Sequence, residues 1–124
     1  ANRSAGARRD TVIFTSRDLV TGATAEESIR IQADVAGALI TIVRGIRAAP
    51  RYILAKGGIT SNDVAAKALG VHRAVVAGQI IPGVPVWRLG EDSRFPGMSY
   101  IVFPGNVGTE TSMTDVVQAL RTGA

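Results

Sequence analysis

The sequence predicts an α/β protein, a three-layer sandwich whose mainly parallel sheet carries helices on both faces. Strand-like and helix-like segments alternate along the chain without internal repeats or low-complexity linkers. The strand-like segments are apolar throughout rather than alternating, which is typical of parallel strands buried on both faces. A chain of 124 residues, 46% hydrophobic and 19% charged, is long and apolar enough to bury one core.

The first half of the chain predicts a strand, a long helix, a strand and a shorter helix. The β-branched and aromatic run TVIFTS, residues 11–16, predicts the first strand. Residues 24–48 repeat apolar side chains at helical spacing, with Thr24 as the N-cap and Pro50 as the stop. RYILAK predicts the second strand, and SNDVAAKALG predicts a helix closed by Gly70.

The second half predicts three strands and a last helix. HRAVVAG is the third strand, and VPVWRL is the fourth, placed at an edge of the sheet because Pro85 cannot donate a backbone hydrogen bond. YIVFPG is the fifth strand, and residues 114–121 form the last helix. Ligand-binding loops leave the carboxyl ends of strands in such sheets. This rule selects three loops, KGGITSND, GQIIPGVP and PGNVGTETS.

Composition excludes several kinds of site. The chain has no cysteine and a single histidine, His72, so disulfides, thiolate catalysis and histidine-rich zinc sites are excluded. The net charge of +4 suggests a nucleic-acid partner, but three arginines lie within residues 1–9, and 11 basic against 10 acidic residues follow. We therefore expect a flexible leader or cut edge at 1–9, one domain at 10–124, and no nucleic-acid or membrane partner. Cysteine-free composition fits a cytoplasmic protein.

The loop KGGITSND has the composition of an anion site. Lys56 ends a strand, Gly57 and Gly58 allow close backbone approach, and Thr60 with Asp63 has capping-box spacing at the next helix. Free amides at a helix start attract phosphate groups. The lysine precedes the glycines, so the loop is not a Walker A motif. An ordinary strand–helix turn with a solvated lysine explains the same residues, and both interpretations stay open.

PGNVGTETS repeats this design after another strand. Gly105 and Gly108 free the backbone, Asn106 tolerates left-handed conformations, and Ser112 with Asp115 again has capping-box spacing. The two loops complete one nucleotide site if their strands are neighbours. A simple turn remains the alternative for each loop alone.

Other residues carry weaker hypotheses. Trp87 could stack on a base, although a lone tryptophan more often packs in a core. A Ser61–Lys56 nucleophile pair is conceivable, but phosphate binding explains the adjoining glycines better. Asp63 could bind magnesium, with helix capping as the competing role. His72 has no evident partner and is interpreted as structural.

The segments FTSR, KGGITSND, GQIIPGVPVW and FPGNVG occur in an order that resembles the C-terminal nucleotide-binding domain of the four-carbon acid sugar kinase family. The resemblance covers about residues 10–121. It implies an ATP-dependent kinase acting, with Mg²⁺, on acids such as threonate, erythronate or an oxo-tetronate. It also implies an N-terminal sugar-acid-binding domain upstream of this chain, which would supply the catalytic base and a further ATP contact. No catalytic residue is therefore assigned here, and the chain alone is expected to transfer no phosphate.

The resemblance and the loop chemistry together give one set of expected ATP-binding residues. The family's contacts fall on the GGIT turn and on Gly105, and the remaining positions come from the loops themselves. The expected residues are Lys56, Gly57, Gly58, Ile59, Thr60, Ser61, Gly105, Asn106, Val107 and Gly108. The alternatives are a noncatalytic nucleotide-binding or dimerisation module, including a homodimer, and a nucleotide or acyl-phosphate binder of unrelated chemistry.

Overall fold

A computed structural model describes residues 10–14, 23–105, 108–109 and 111–121. The chain divides into two compact units, Ala1–Pro50 and Arg51–Ala124. The first unit contains one long helix, α1 (Ala25–Arg44). The Thr24 side chain caps this helix by accepting a hydrogen bond from the Glu27 amide at 3.1 Å, as the sequence predicts. The helix ends well before Pro50, so proline is not its stop.

The second unit is built on one sheet of four strands: β1 (Tyr52–Lys56), β2 (Ala74–Ile81), β3 (Val84–Leu89) and β4 (Ser99–Phe103). Their order across the sheet is β1-β4-β3-β2. The β1–β4 pair is parallel, whereas β4–β3 and β3–β2 are antiparallel.

Two helical segments accompany the sheet. Helix α2 (Gly58–Asp63) continues directly into a π-helical segment (Val64–Ala68), and helix α3 (Ser112–Arg121) follows β4. On β4, Ile101 and Phe103 pack with Val116 and Leu120 of α3. The neighbouring Tyr100 instead bonds to α2. Because successive strand residues point to opposite faces, α2 and α3 lie against opposite faces of this sheet. Within the described residues, no helix is long and apolar enough to cross a membrane.

The predicted α/β class is confirmed, but the mainly parallel sheet is wrong. The chain between β2 and β3 is the two-residue turn Pro82–Gly83, and β3 reaches β4 through another short loop. Neither connection is long enough for the helical crossover that joins parallel strands, so both pairs are antiparallel. The three-layer arrangement predicted for the whole chain is not confirmed.

Two strand predictions also fail. Residues 11–14 form no strand, and Val12 and Phe14 are 74% and 83% exposed; residues 15–16 lie outside the described part. β3 is an inner strand, although Pro85 predicts an edge. The proline is tolerated because β3 pairs with β4 only from Val86 to Arg88, so no donor is needed on that side at Pro85.

Candidate functional site

The two glycine-rich turns begin side by side. In the parallel β1–β4 pair, Lys56 lies opposite Phe103, the last residue of each strand. The Gly57 amide then donates to the Phe103 carbonyl at 2.8 Å, which extends the pairing one residue into the turn. The sequence predicts one composite site only if the two strands are neighbours. The pairing of β1 with β4 meets this condition.

The first turn leads directly into α2 and leaves its first amides uncapped. Gly57 is the N-cap with φ +97°, a conformation that favours glycine, and no side chain caps the helix. The amides of Gly58, Ile59 and Thr60 begin the helix, where no intrahelical acceptor exists. The Gly57 amide is already bonded to Phe103, so these three amides are the donors that an anion would meet.

The predicted capping box of the first turn is wrong. The helix begins at Gly58, so Thr60 lies inside the first turn rather than at the N-cap. Asp63 lies further along the helix, where its carboxylate is 3.6 Å from the Lys67 ammonium group. Glycine conformation, not a serine or threonine side chain, sets the start of this helix.

Ser61 and Lys56 take different positions in the first turn. Ser61 is 1% exposed, and its hydroxyl lies 2.6 Å from the Gly57 carbonyl and 3.0 Å from the Ala55 carbonyl, so it ties α2 to β1. Lys56 is exposed and, by strand alternation, projects from the same face of the sheet as Phe103. Because α3 packs on that face, the Lys56 side chain leaves the sheet on the side opposite α2.

The second turn is held by its own hydroxyl contacts. Gly108 has φ +89°, and a Cβ there would lie 2.5 Å from the Ser112 hydroxyl oxygen. That hydroxyl accepts a hydrogen bond from the Thr109 amide at 2.7 Å. Ser112 is the first residue of α3, and the Asp115 amide donates to the Thr111 carbonyl, so the predicted Ser112–Asp115 capping box is also wrong. The predicted site residues Asn106 and Val107 lie outside the described residues.

Two glycines in these turns are not explained by the fold. A Cβ added to Gly58 or Gly105 would meet nothing within 4 Å, and neither residue has the positive φ that favours glycine. Space therefore lies in front of both turns, where a side chain could be placed and none is present. Beside this space Ile59 is 81% exposed, an apolar surface next to the uncapped amides.

Tyr100 is a residue of this region that sequence reasoning missed. It is fully buried on β4, and its hydroxyl donates to the Ser61 carbonyl at 2.6 Å. Burial raises the pKa of the phenol well above its usual value, while a hydrogen bond from the Ala65 backbone opposes this rise. The only sequence signal is a phenolic hydroxyl in the otherwise apolar run YIVF.

The remaining weaker hypotheses do not converge on the glycine turns. The Trp87 ring lies 5.9 Å from the Tyr100 ring and lines a shallow groove of about 290 Å³ that also contains Asn62 and His72. Of the expected ATP-binding residues that the structure describes, none lines this groove. In the described part of the chain, no three His, Cys, Asp or Glu residues group closely enough to hold a metal ion.

Comparison with known families decides what kind of domain carries this site. A family described as the nucleotide-binding C-terminal domain matches residues 1–113. The chain belongs to this family. No curated protein and no solved structure matches it. The matched range includes the first glycine turn and residues 105–108 of the second turn. The family match indicates nucleotide binding, and the pairing of β1 with β4 separately shows that the two turns are adjacent.

Proposed function

We propose that this nucleotide-binding domain is the ATP-binding part of an ATP-dependent kinase that phosphorylates four-carbon sugar acids of the threonate, erythronate or oxo-tetronate type. The observation that carries the proposal is the adjacency of the two glycine turns at the carboxyl ends of β1 and β4. Nucleotides bind α/β sheets at such edges. The order of the sequence segments and the family match support the kinase assignment.

Each turn has a defined role in this proposal. The amides of Gly58, Ile59 and Thr60 donate to phosphate oxygens, because they begin a helix without a side-chain cap. Lys56, the exposed last residue of β1, supplies a positive charge. Gly105 gives the phosphates room to approach, since nothing lies within 4 Å of its would-be side chain. The Mg²⁺ that accompanies ATP would neutralise charge on the phosphates.

These residues position and neutralise the phosphates, which is most of what a protein does in phosphoryl transfer. They include no general base for the acceptor hydroxyl. The proposal therefore places the base and the sugar-acid contacts in the N-terminal domain that the family resemblance implies. Ser61 contributes through its bonds to Ala55 and Gly57, which hold the first turn in place.

Phosphate transfer by the full-length protein tests the proposal. ATP consumption and product formation are measured across a panel of four-carbon acids, with Gly58→Val and Gly105→Val as site variants. These positions are chosen because the fold itself has room for a side chain there. Transfer to at least one acid by wild type, lost in both variants, is the expected result. A folded wild type that transfers phosphate to none of the acids overturns the kinase assignment.

One observation favours the alternative of a noncatalytic dimerisation module. Strand β2 is an outer strand of the sheet, and its Val75 and Val76 side chains are 69% and 64% exposed. Apolar edge strands pair with other chains. Nucleotide binding without transfer, together with a dimer that Val75→Lys dissociates, would support this function over the kinase.

A further inference from the structure

The hydroxyl of Tyr100 bonds to the backbone of the helix that follows the first glycine turn. It donates to the Ser61 carbonyl at 2.6 Å, in the buried space between β4 and the helix. In a regular α-helix the amide of residue 65 pairs with the carbonyl of residue 61. Here the Ser61 carbonyl accepts from the Val64 amide as well as from the phenol, so Tyr100 bonds to the helix where its α-helical part ends.

The helix changes its geometry at this point. The α-helical part ends at Asp63, and the π-helical segment starts at Val64. In this segment the Leu69 amide bonds to the Val64 carbonyl, five residues back, at 3.0 Å. A side chain inserted into the ladder is a known cause of such local changes, and single π-helical turns occur frequently at functional sites.

The same contact reaches the glycine turn through Ser61. The Ser61 backbone is fixed by Tyr100, and its hydroxyl lies within 3.0 Å of the carbonyls of both Ala55 and Gly57. Gly57 in turn bonds to Phe103 on the strand that carries Tyr100. A closed network of hydrogen bonds therefore connects β4, the first turn of α2 and the end of β1. Residues 58–60, which carry the uncapped amides, lie between two members of this network, Gly57 and Ser61.

We propose that Tyr100 is a positioning residue for the nucleotide phosphates, which acts through Ser61 to hold the three uncapped amides in register with the second glycine turn. This inference rests on the proposed function, because it concerns the same phosphate site. Packing alone would be served by phenylalanine, which has the same ring and keeps the Val64 amide as a donor to the Ser61 carbonyl. The hydroxyl adds a buried bond from β4 to the residue whose side chain holds the first turn.

The test compares Tyr100→Phe with wild type in the full-length protein. Dissociation constants are measured for Mg²⁺-ATP, and for adenosine as a ligand without phosphates. Loss of the hydroxyl should weaken ATP binding about tenfold, and adenosine binding less than about twofold. A purely structural role would change both ligands equally or neither, so the ratio of the two constants is the decisive readout.

The chain offers a matched control, because Tyr52 is its other tyrosine. It packs with the cluster on the α3 side of the sheet, so Tyr52→Phe removes a hydroxyl without touching the network. This control should bind ATP like wild type. If Tyr100→Phe does not fold, Ser61→Ala breaks the network at its next member and should give the same selective loss of ATP.

The outcomes separate this inference from the proposed function. A wild type that binds ATP, with a folded Tyr100→Phe variant of unchanged ATP-to-adenosine ratio, overturns the positioning role and leaves the nucleotide site intact. An equal loss for both ligands overturns it as well. A wild type that binds neither ligand refutes the proposed function itself.

Discussion

Gly58 provides a direct test of the phosphate site, because the fold does not need a glycine there. Its backbone lies outside the left-handed region, and a Cβ would meet nothing within 4 Å. Side chains of a helix tilt towards its N-terminus. A side chain on the first helical residue would therefore project into the space in front of the amides of residues 58–60.

The expected effects on folding and on binding have opposite signs. Replacing an unstrained glycine by alanine stabilises a protein by about 0.4–1 kcal/mol. A hydrogen bond to a charged group is worth about 1.5–3 kcal/mol, or about ten- to a hundredfold in affinity when it is lost. Gly58→Ala should thus unfold no more easily than wild type and bind Mg²⁺-ATP about tenfold more weakly. Gly58→Val, with two further carbons, should lose about a hundredfold.

Isothermal titration with Mg²⁺-ATP and urea unfolding measure the two effects separately. Gly37→Ala is the matched control, since Gly37 is also helical, has open space around it and lies in α1. The control should gain stability and keep its ATP affinity. If Gly58→Val binds ATP as tightly as wild type, the space in front of α2 holds no phosphate and the proposed phosphate site is refuted.

Three further predictions follow from individual contacts. Lys56→Ala should weaken ATP binding about tenfold at low salt and less at high salt, whereas Lys67→Ala should leave it unchanged; titration at two ionic strengths checks both. Gly108→Ala should destabilise the fold by about 2 kcal/mol or more in urea unfolding, because φ is +89° and a Cβ would lie 2.5 Å from the Ser112 oxygen. The raised pKa of the buried Tyr100 phenol means that folding favours its protonated form. Its contribution to stability should be complete below the unfolded pKa near 10 and fall above it by up to about 1.4 kcal/mol per pH unit. The difference in unfolding free energy between wild type and Tyr100→Phe, measured across this range, isolates the effect.

From Tyr52 onward the order of the elements was predictable, but the directions of the strands were not. Apolar runs rich in β-branched and aromatic residues identify the Tyr52–Lys56 and Ser99–Phe103 strands, and apolar residues at helical spacing after the Thr24 cap identify α1. Strand direction depends on which strands become neighbours. The shortness of the Pro82–Gly83 turn was visible in the sequence and is sufficient reason for an antiparallel pair.

The site was predictable at the level of turns and not of individual contacts. Glycine-rich segments after two strands indicated where backbone amides would be exposed. The capping residues predicted for the two turns, Thr60 and Ser112, were wrong, because both lie within their helices rather than at the N-cap. Tyr100 was missed because its role depends on a carbonyl that is 39 residues away in the sequence.

The glycines of the two turns show why a motif alone does not identify a ligand site. Gly57 and Gly108 have φ of +97° and +89°, so the chain itself requires glycine there whether or not anything binds. Gly58 and Gly105 have neither the strained conformation nor a close neighbour. The two pairs are indistinguishable in the sequence, yet only the second pair can report on a ligand. Substituting Gly57 or Gly108 would abolish activity by disrupting the turn, and such a loss would say nothing about phosphate binding. The nucleotide hypothesis is therefore tested at Gly58 and Gly105, where an added side chain should destabilise the fold little. A loss of ATP binding in these variants would mean that the side chain occupies space that the nucleotide needs.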